Sequence, residues 1–291
     1  MPRRLRRSAA PWLLLAPALA VVLVLFLGGL ALGVAQSLGY LPFLDGWRWS
    51  LDGYRALTQD PAVRASLALT LRVSLLSTAA ATVLGVGAAL LVSRTGRARR
   101  LLTGVFTATL PVPHLVGAVA MGLVLSQSGL LSRATYAAGL TDEPADFPPL
   151  TADSFGWGII AAFVWKEAPF IAVVVLAALT RGVTDFEDAA RVLGAGGWQR
   201  QVHVVLPLIA RSIAGASLLV FTFTFGSYEI PLLLGRPYPA ALPVVALQSY
   251  QDPNLHARAQ AMAISVGTAV LVGALVVGYL AVVDRATRRL R

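Results

Sequence analysis

The chain has 291 residues and a formal net charge of +10; 57% of its residues are hydrophobic, only 13% are charged, and none is cysteine. A soluble domain of this length carries about a quarter charged residues, so the composition excludes a separate large soluble domain, and the absence of cysteine excludes disulfides, thiol catalysis and cysteine-ligated metal. A nucleic-acid partner is also excluded, since the basic residues cluster at the ends of apolar segments, where they orient a membrane chain and contact anionic lipid.

Long apolar segments predict an all-α polytopic membrane protein with six transmembrane helices. The first segment, roughly 11–36, follows a run of arginines within residues 3–7. It is longer than the apolar core of a cleaved signal peptide, so we interpret it as a retained signal anchor. Each segment is long enough to cross a hydrocarbon core of ~30 Å. The other five segments are 65–93, 101–125, 155–180, 209–234 and 259–283.

The links between these segments carry further signals. Residues 37–62 are rich in aromatic and turn residues, which is typical of a membrane interface. The third segment contains Pro111 and Pro113, which predict a kink or a broken helix. The link at 126–154 is polar and acidic, and a short interfacial helix is predicted around 130–140.

Basic residues are distributed unevenly between the two sides of the predicted membrane. Sixteen of the 24 lysines and arginines lie in the N-terminus, the 94–100 link, the 181–211 link and the C-terminus. Such links stay on the cytoplasmic side, and an even number of spans places both termini there as well. We therefore predict a multi-pass membrane protein, in contact with membrane lipid, with cytoplasmic N- and C-termini.

The link after the fourth segment is more ordered than a plain connector. Residues 187–193 have helix-forming composition, and Glu187 can pair with Arg191 one turn further on. A second helical run at 198–206 is expected to stop at Pro207. The pattern predicts a short helix, a turn and another short helix on the membrane surface. Three glycines interrupt the two runs, at Gly194, Gly196 and Gly197.

This link resembles the EAA loop of permease subunits in binding-protein-dependent ABC importers. That family has Glu-Ala-Ala, a glycine shortly after it, and Leu-Pro about a dozen residues further on. On the resemblance, a coupling loop at about 183–207 docks onto an ATPase subunit, and Asp188 replaces the first alanine of the pattern. The matching residues are Glu187, Ala189, Ala190, Gly194, Leu206 and Pro207.

The resemblance implies a single transmembrane permease domain over 1–291, with a five-helix core at about 65–283 and an additional N-terminal helix. The implied partners are cytoplasmic ATPase subunits, a second permease subunit, homologous or identical, and an extracytoplasmic solute-binding protein. The chain is then not an enzyme and has no cofactor of its own, because ATP is bound by the partner subunit. Accordingly, it lacks the Gly-x-x-x-x-Gly-Lys-Ser/Thr phosphate-binding sequence. No metal site is predicted, since the three histidines fall on three different segments.

Five side chains are candidates for the substrate pathway, because ionisable groups at membrane depth usually face a cavity or each other. Lys166 and Glu229 either line the route or form an ion pair that positions two helices, and His114 either lines the route or is satisfied by a backbone carbonyl. Pro169 and Pro231 interrupt hydrogen bonding close to these groups, which favours a central polar pocket. The candidates are Lys166, Glu167, Glu229, Tyr228 and His114.

The resemblance points to more than one substrate class. Leu193, which precedes the loop glycine, and the run at 225–236 look like the polyamine, ferric-iron and phosphonate group, and Glu167 and Glu229 would suit a cationic polyamine. The run at 164–170 looks like sugar permeases instead. We expect a polyamine-like substrate, with a sugar, phosphonate or iron as the alternative. An ion-coupled secondary transporter is the alternative of a different class; it would use buried carboxylates and lysine but would not need the loop.

Overall fold

The computed structural model describes residues 3–42, 44, 46–96, 98–179 and 181–288. In this part of the chain nearly all regular structure is helical, so the all-α fold class is confirmed. Two short strands, β1 (Tyr40–Leu41) and β2 (Gly46–Trp47), pair antiparallel. The helices are α1 (Arg3–Ser37), α2 (Asp52–Gln59), α3 (Pro61–Ser93), α4 (Arg99–Thr109), α5 (His114–Leu125), α6 (Leu130–Ala137), α7 (Trp157–Ala178), α8 (Arg181–Val192), α9 (Gly197–Arg200), α10 (Leu206–Gly226), α11 (Glu229–Leu234), α12 (Leu242–Gln251) and α13 (Ala257–Arg288).

Among the described residues, six helical segments are long and apolar enough to cross a membrane, as predicted. Each contains 22 residues or more, and about 20 are needed to span the hydrocarbon core. The segments are Leu14–Ser37, Pro61–Ser93, His114–Ala137, Trp157–Ala178, Gly197–Gly226 and Ala257–Val283.

The third span confirms the predicted break but not the predicted bounds. The helix stops at Thr109 and restarts at His114, because Pro111 and Pro113 have no N–H to continue the ladder of hydrogen bonds. The apolar span therefore begins after the prolines and takes in α6, which is the short helix expected around 130–140. The sequence pattern joined α4 to this span because both sides of the break are apolar.

The fifth span also differs from its predicted bounds of 209–234. The helical segment that contains this span starts earlier, at Gly197, with α9 ahead of its apolar part, and it ends at Gly226, where Ser227 is extended. Pro231 does not cause this break. It lies in the first turn of α11, where a missing N–H has no helical partner to lose.

Two compact units are formed by the contacts within the chain. One contains Met1–Asp60 and Ala246–Gly267, and the other contains Pro61–Val245 and Thr268–Arg291. In the first unit the Ser37 hydroxyl lies 2.7 Å from the Tyr54 hydroxyl. In the second unit α3 and α10 pack against α7, which provides the centre of the core.

Small residues on α3 allow it to lie close to α7. Ala81, Gly85 and Ala89 are buried one turn apart along the same face. A Cβ atom at Gly85 would lie 2.7 Å from the Ala168 carbonyl oxygen and 2.8 Å from the Cβ of Ile171. Both distances are too short for real contacts, so this crossing requires glycine. The close approach of α3 fixes the position of the α7 residues that form the polar site described below.

We predict that Gly85→Ala destabilises the protein although alanine favours helix formation. The added methyl would push α3 away from a backbone oxygen of α7, and overpacking of this kind costs typically about 1–3 kcal/mol. Gly87→Ala is the matched control, because nothing lies within 4 Å of a Cβ at Gly87; this change should be neutral or stabilising. Denaturant titration of the purified proteins in micelles measures both. Equal stability of the two variants would contradict the close packing.

Candidate functional site

The link at 183–207 forms a protruding element, which we call the knob and define as α8 together with residues 193–200. Its helices carry large apolar side chains that are not covered by the rest of the chain. Val192, Leu193 and Trp198 are 88%, 86% and 80% exposed, and Phe186 is also exposed. Exposed apolar groups concentrated on one polar link mark a surface that binds another protein or a membrane.

Gly194 ends α8 in a left-handed conformation with φ of +87°. Its N–H donates to the Arg191 carbonyl at 3.0 Å, and the next N–H, of Ala195, donates to the Ala190 carbonyl at 3.0 Å. This is the Schellman arrangement, which satisfies the last carbonyls of a helix. Nothing lies within 4 Å of a Cβ at Gly194, so the position needs glycine for its backbone angle and not for space.

Glu187, on α8, forms hydrogen bonds with residues that follow the Gly194 turn. Its Oε1 accepts a hydrogen bond from Gln201 Nε2 at 3.2 Å and lies 3.5 Å from Arg200 Nε. Arg200 also donates through Nη1 to the Ala195 carbonyl at 2.8 Å. The two halves of the knob are thus tied together by one carboxylate and one guanidinium. The predicted Glu187–Arg191 pair is wrong, since Arg191 pairs with Asp188 at 3.1 Å.

The other residues of the EAA-like pattern have different surroundings. Asp188 and Ala189 are exposed on α8, and Ala190 is half-buried. The helix does not stop at Pro207, contrary to the prediction. Gln201–Val205 form a π-helical turn, in which the Leu206 N–H donates to the Gln201 carbonyl, and Pro207 follows in the first turn of α10. The wider turn shifts the hydrogen-bonding register between α9 and α10, so Pro207 falls in the first turn of α10, where its missing N–H breaks no helical hydrogen bond. The knob therefore continues into a membrane span without a loop.

Lys166 lies near the middle of α7 and is only 4% exposed. Its ammonium donates to the carbonyl oxygens of Thr109 at 2.7 Å and Leu110 at 3.0 Å. Both carbonyls lie at the end of α4. Pro113 lacks the N–H that would bond the Thr109 carbonyl in a continuous helix, and that carbonyl accepts instead from the Val112 N–H at 3.3 Å. The Leu110 carbonyl loses its helical partner because the helix does not continue into His114. Lys166 therefore caps a broken helix at membrane depth, and the ion pair with Glu229 is not formed.

Glu167 and His114 make a second polar contact beside this cap. His114 Nε2 lies 3.1 Å from Glu167 Oε1, and Glu167 is 8% exposed. The imidazole also packs on the ring of Phe223, with centroids 4.5 Å apart. The partner of His114 is thus a carboxylate and not the backbone carbonyl considered from the sequence. The contact joins α5, α7 and α10 at one point.

Tyr228 and Glu229 occupy the break between α10 and α11. Tyr228 is exposed and Glu229 is half-exposed in the first turn of α11. The structure thus joins three of the five candidates, Lys166, Glu167 and His114, around the α4–α5 break and leaves the other two at a separate break. Among the described residues no group of three or more His, Asp or Glu side chains is arranged to hold a metal ion.

Two pairs of contributors to the site were missed in the sequence. Arg200 and Gln201, the partners of Glu187, follow the glycines, and no pairing rule connects positions 13 and 14 residues apart across a turn. The carbonyls of Thr109 and Leu110 were missed as partners of Lys166. The proline pair did signal unpaired carbonyls, but the sequence contained no sign of which side chain would reach them.

A family model described as "Binding-protein-dependent transport system inner membrane component" matches residues 81–291. The probable starch degradation products transport system permease protein AmyD of Thermoanaerobacterium thermosulfurigenes is 24% identical over 89% of this chain and 87% of AmyD. The putrescine transport system permease protein PotI of Escherichia coli (strain K12) is 28% identical over 75% of this chain and 74% of PotI. The crystal structure of a bacterial alginate ABC transporter, in complex with an alginate pentasaccharide-bound periplasmic protein, contains a chain of the same fold. It superposes with a TM-score of 0.81 at 19% identity, covering 98% of this chain and 97% of that one.

We predict that His114 and Glu167 behave as a coupled pair, whereas Lys166 and Glu229 do not. His114→Gln and Glu167→Gln should lose less stability together than the sum of the single losses, with a coupling of about 1 kcal/mol or more, because each single change leaves a polar partner unpaired at membrane depth. The cycle of Lys166→Met and Glu229→Gln is the control and should be additive, since Lys166 contacts carbonyls instead. Free energies of unfolding in micelles give both couplings. Additivity of the His114–Glu167 cycle would contradict the described contact.

Proposed function

The chain belongs to the family of binding-protein-dependent transport system inner membrane components, and we propose that it couples substrate passage to ATP hydrolysis in a separate subunit through the knob. As a permease subunit of an ABC importer, it forms part of a membrane pathway. The coupling proposal rests on the apolar side chains that this link exposes although hydrogen bonds hold it in one conformation. A flexible connector would have neither these hydrogen bonds nor the apolar side chains.

The proposed mechanism is alternating access driven through the knob. ATP-dependent closure of two ATPase subunits would move α8 as a rigid piece, because Glu187, Arg200 and the Ala195 carbonyl hold its two halves together. The knob leads through the π-helical turn into α10 without a loop, so its displacement would tilt or rotate that span. A rigid element between two spans converts closure of one domain into rearrangement of another.

The other proposed partners follow from the family. The solute-binding protein would deliver substrate on the side opposite to the knob, and a second permease, homologous or identical, would complete the pathway. The apolar residues of the first candidate span are not buried inside this chain, which leaves a long apolar surface for lipid and for that partner. We propose that the whole chain acts as a single permease domain and that the ATP site lies in the ATPase subunit.

For the pathway, we propose that Tyr228 and Glu229 face the substrate and that Lys166, Glu167 and His114 hold the broken helix next to it. The proposal is supported by their exposure: Tyr228 and Glu229 are polar and partly exposed, and they directly follow the fifth candidate span, which ends at Gly226. Lys166 and Glu167 are buried and already paired, which suits a structural role in this conformation.

We propose a sugar or oligosaccharide as the substrate. A polyamine-like substrate, which was expected from the sequence, becomes the alternative. AmyD, matched over 89% of this chain, is named for starch degradation products, whereas PotI, matched over 75%, is named for putrescine. Thermal unfolding of the cognate solute-binding protein tests this choice. A rise in its midpoint with maltodextrins and none with putrescine is expected; protection by putrescine alone would contradict the sugar proposal.

We propose that both termini and the knob are cytoplasmic in a bacterial inner membrane, and cysteine labelling tests this orientation. The chain has no native cysteine, so Asp142→Cys and Gln199→Cys each introduce one exposed thiol. In intact spheroplasts an impermeant maleimide should label the cysteine at 142 and not the one at 199. Labelling at 199 alone would place the knob outside and contradict the coupling proposal as well.

The coupling proposal predicts that Leu193→Asp and Trp198→Asp, made together, abolish stimulation of the ATPase while leaving the permease folded. A charge on each exposed apolar side chain should prevent it from being buried in the partner at little cost to the free chain, and interface anchors of this kind typically contribute about 2 kcal/mol or more each. Leu140→Asp is the control, since Leu140 is 76% exposed outside the knob. Co-purification and ATPase rate of the assembled complex are measured. Unchanged values for the double variant would exclude the knob as the docking surface.

A further inference from the structure

A cavity of about 360 Å³ lies where the knob meets the membrane spans, and none of the exposed apolar side chains of the knob lines it. Its apolar wall comes from Leu90 near the end of α3, Leu179 at the end of α7 and Val205 before α10. Three candidate spans begin or end at these elements. The cavity therefore lies at the level of the lipid headgroups, whichever side of the membrane the knob occupies.

Four arginines line this cavity together with two carboxylates. Arg191 pairs with Asp188 at 3.1 Å, and Arg200 lies 3.5 Å from Glu187. The remaining two, Arg94 and Arg99, have no ion pair among the residues that the structure describes. Four positive and two negative side chains leave a local charge of +2.

Arg94 and Arg99 are well suited to an anion that carries phosphate. A guanidinium presents a planar fork of N–H donors that matches phosphate oxygens, and it remains charged at any physiological pH. The two arginines lie on neighbouring elements, at the end of α3 and the start of α4, and both line the same cavity. A phospholipid matches both features of this cavity, because its phosphate can bind the two arginines and its acyl chain can pack on the apolar wall.

We propose that this cavity binds the phosphate-bearing headgroup of an anionic phospholipid, with Arg94 and Arg99 as its principal ligands. The proposal does not depend on the coupling function, because it follows from the charges and the position of the cavity. Arg191 and Arg200 contribute to the positive potential but are held by their carboxylate partners. A lipid bound here would support the membrane side of the knob.

The test measures retention of phosphatidylglycerol by the purified full-length chain, using native mass spectrometry from neutral detergent micelles. Arg94→Gln combined with Arg99→Gln should weaken retention at least about tenfold relative to the unmodified chain. Arg100→Gln combined with Arg285→Gln is the matched control, because it removes the same charge from exposed residues that do not line the cavity. This control should retain the lipid normally. Arg94→Lys combined with Arg99→Lys, which keeps the charge, should retain the lipid better than the glutamine pair.

Two further measurements separate the sources of phosphate. Phosphatidylcholine, whose phosphate is neutralised by choline, should be retained poorly by every variant. Inorganic phosphate at millimolar concentration should not displace phosphatidylglycerol; displacement would assign the cavity to a soluble phosphate compound and overturn the lipid proposal. Equal retention by all the arginine variants, or equal loss from the cavity pair and the control pair, would also overturn it. Helix content and elution volume are compared first, so that loss of folding is recognised.

Discussion

A backbone N–H or C=O group inside a membrane has to find its partner within the protein, because lipid offers none. This constraint explains the six long helices, and it also explains the points where the helices stop. At the α4–α5 break the carbonyls of Thr109 and Leu110 are satisfied by the Lys166 ammonium. α8 is not one of the candidate spans, so lipid does not impose this constraint on it; its last carbonyls are satisfied by the turn at Gly194. Each break is therefore supported by a specific group, and both breaks lie at candidate functional positions.

The knob and the broken helix are connected through α7 and α10. The knob continues into α10 through the π-helical turn, and α10 carries Phe223, which packs on His114 beside the broken helix. His114 in turn contacts Glu167, next to the lysine that caps α4. A displacement of the knob can therefore be transmitted through packed side chains to the polar residues at membrane depth. Helices held by such contacts move as units, which suits the proposed conversion of ATPase closure into opening of the pathway.

Apolar runs and proline positions predicted the six spans and the break at Pro111–Pro113, because these features depend on local composition. The helices α2 and α12, in the links, were not predicted. Span ends were predicted less well. The fifth helical segment starts already at Gly197 because a π-helical turn lets the helix continue past Pro207, and no local pattern announces such a turn. Side-chain partners were predicted least well: Lys166 was expected either to line the pathway or to pair with Glu229, but a charged group at membrane depth is satisfied as well by carbonyls as by a carboxylate. Tertiary contacts decide between these, and one sequence does not contain them.

The account depends most on the knob acting as a rigid piece, held by Glu187 and Arg200. Glu187→Arg and Arg200→Glu should each loosen the knob in the assembled transporter, whereas the combined exchange restores an ion pair of reversed polarity. Substrate-stimulated ATP hydrolysis in reconstituted vesicles is the most direct measurement. The account predicts a large loss of stimulation for each single variant and substantial recovery for the exchanged pair. Normal stimulation in both single variants, or an exchanged pair that is worse than either, would contradict it.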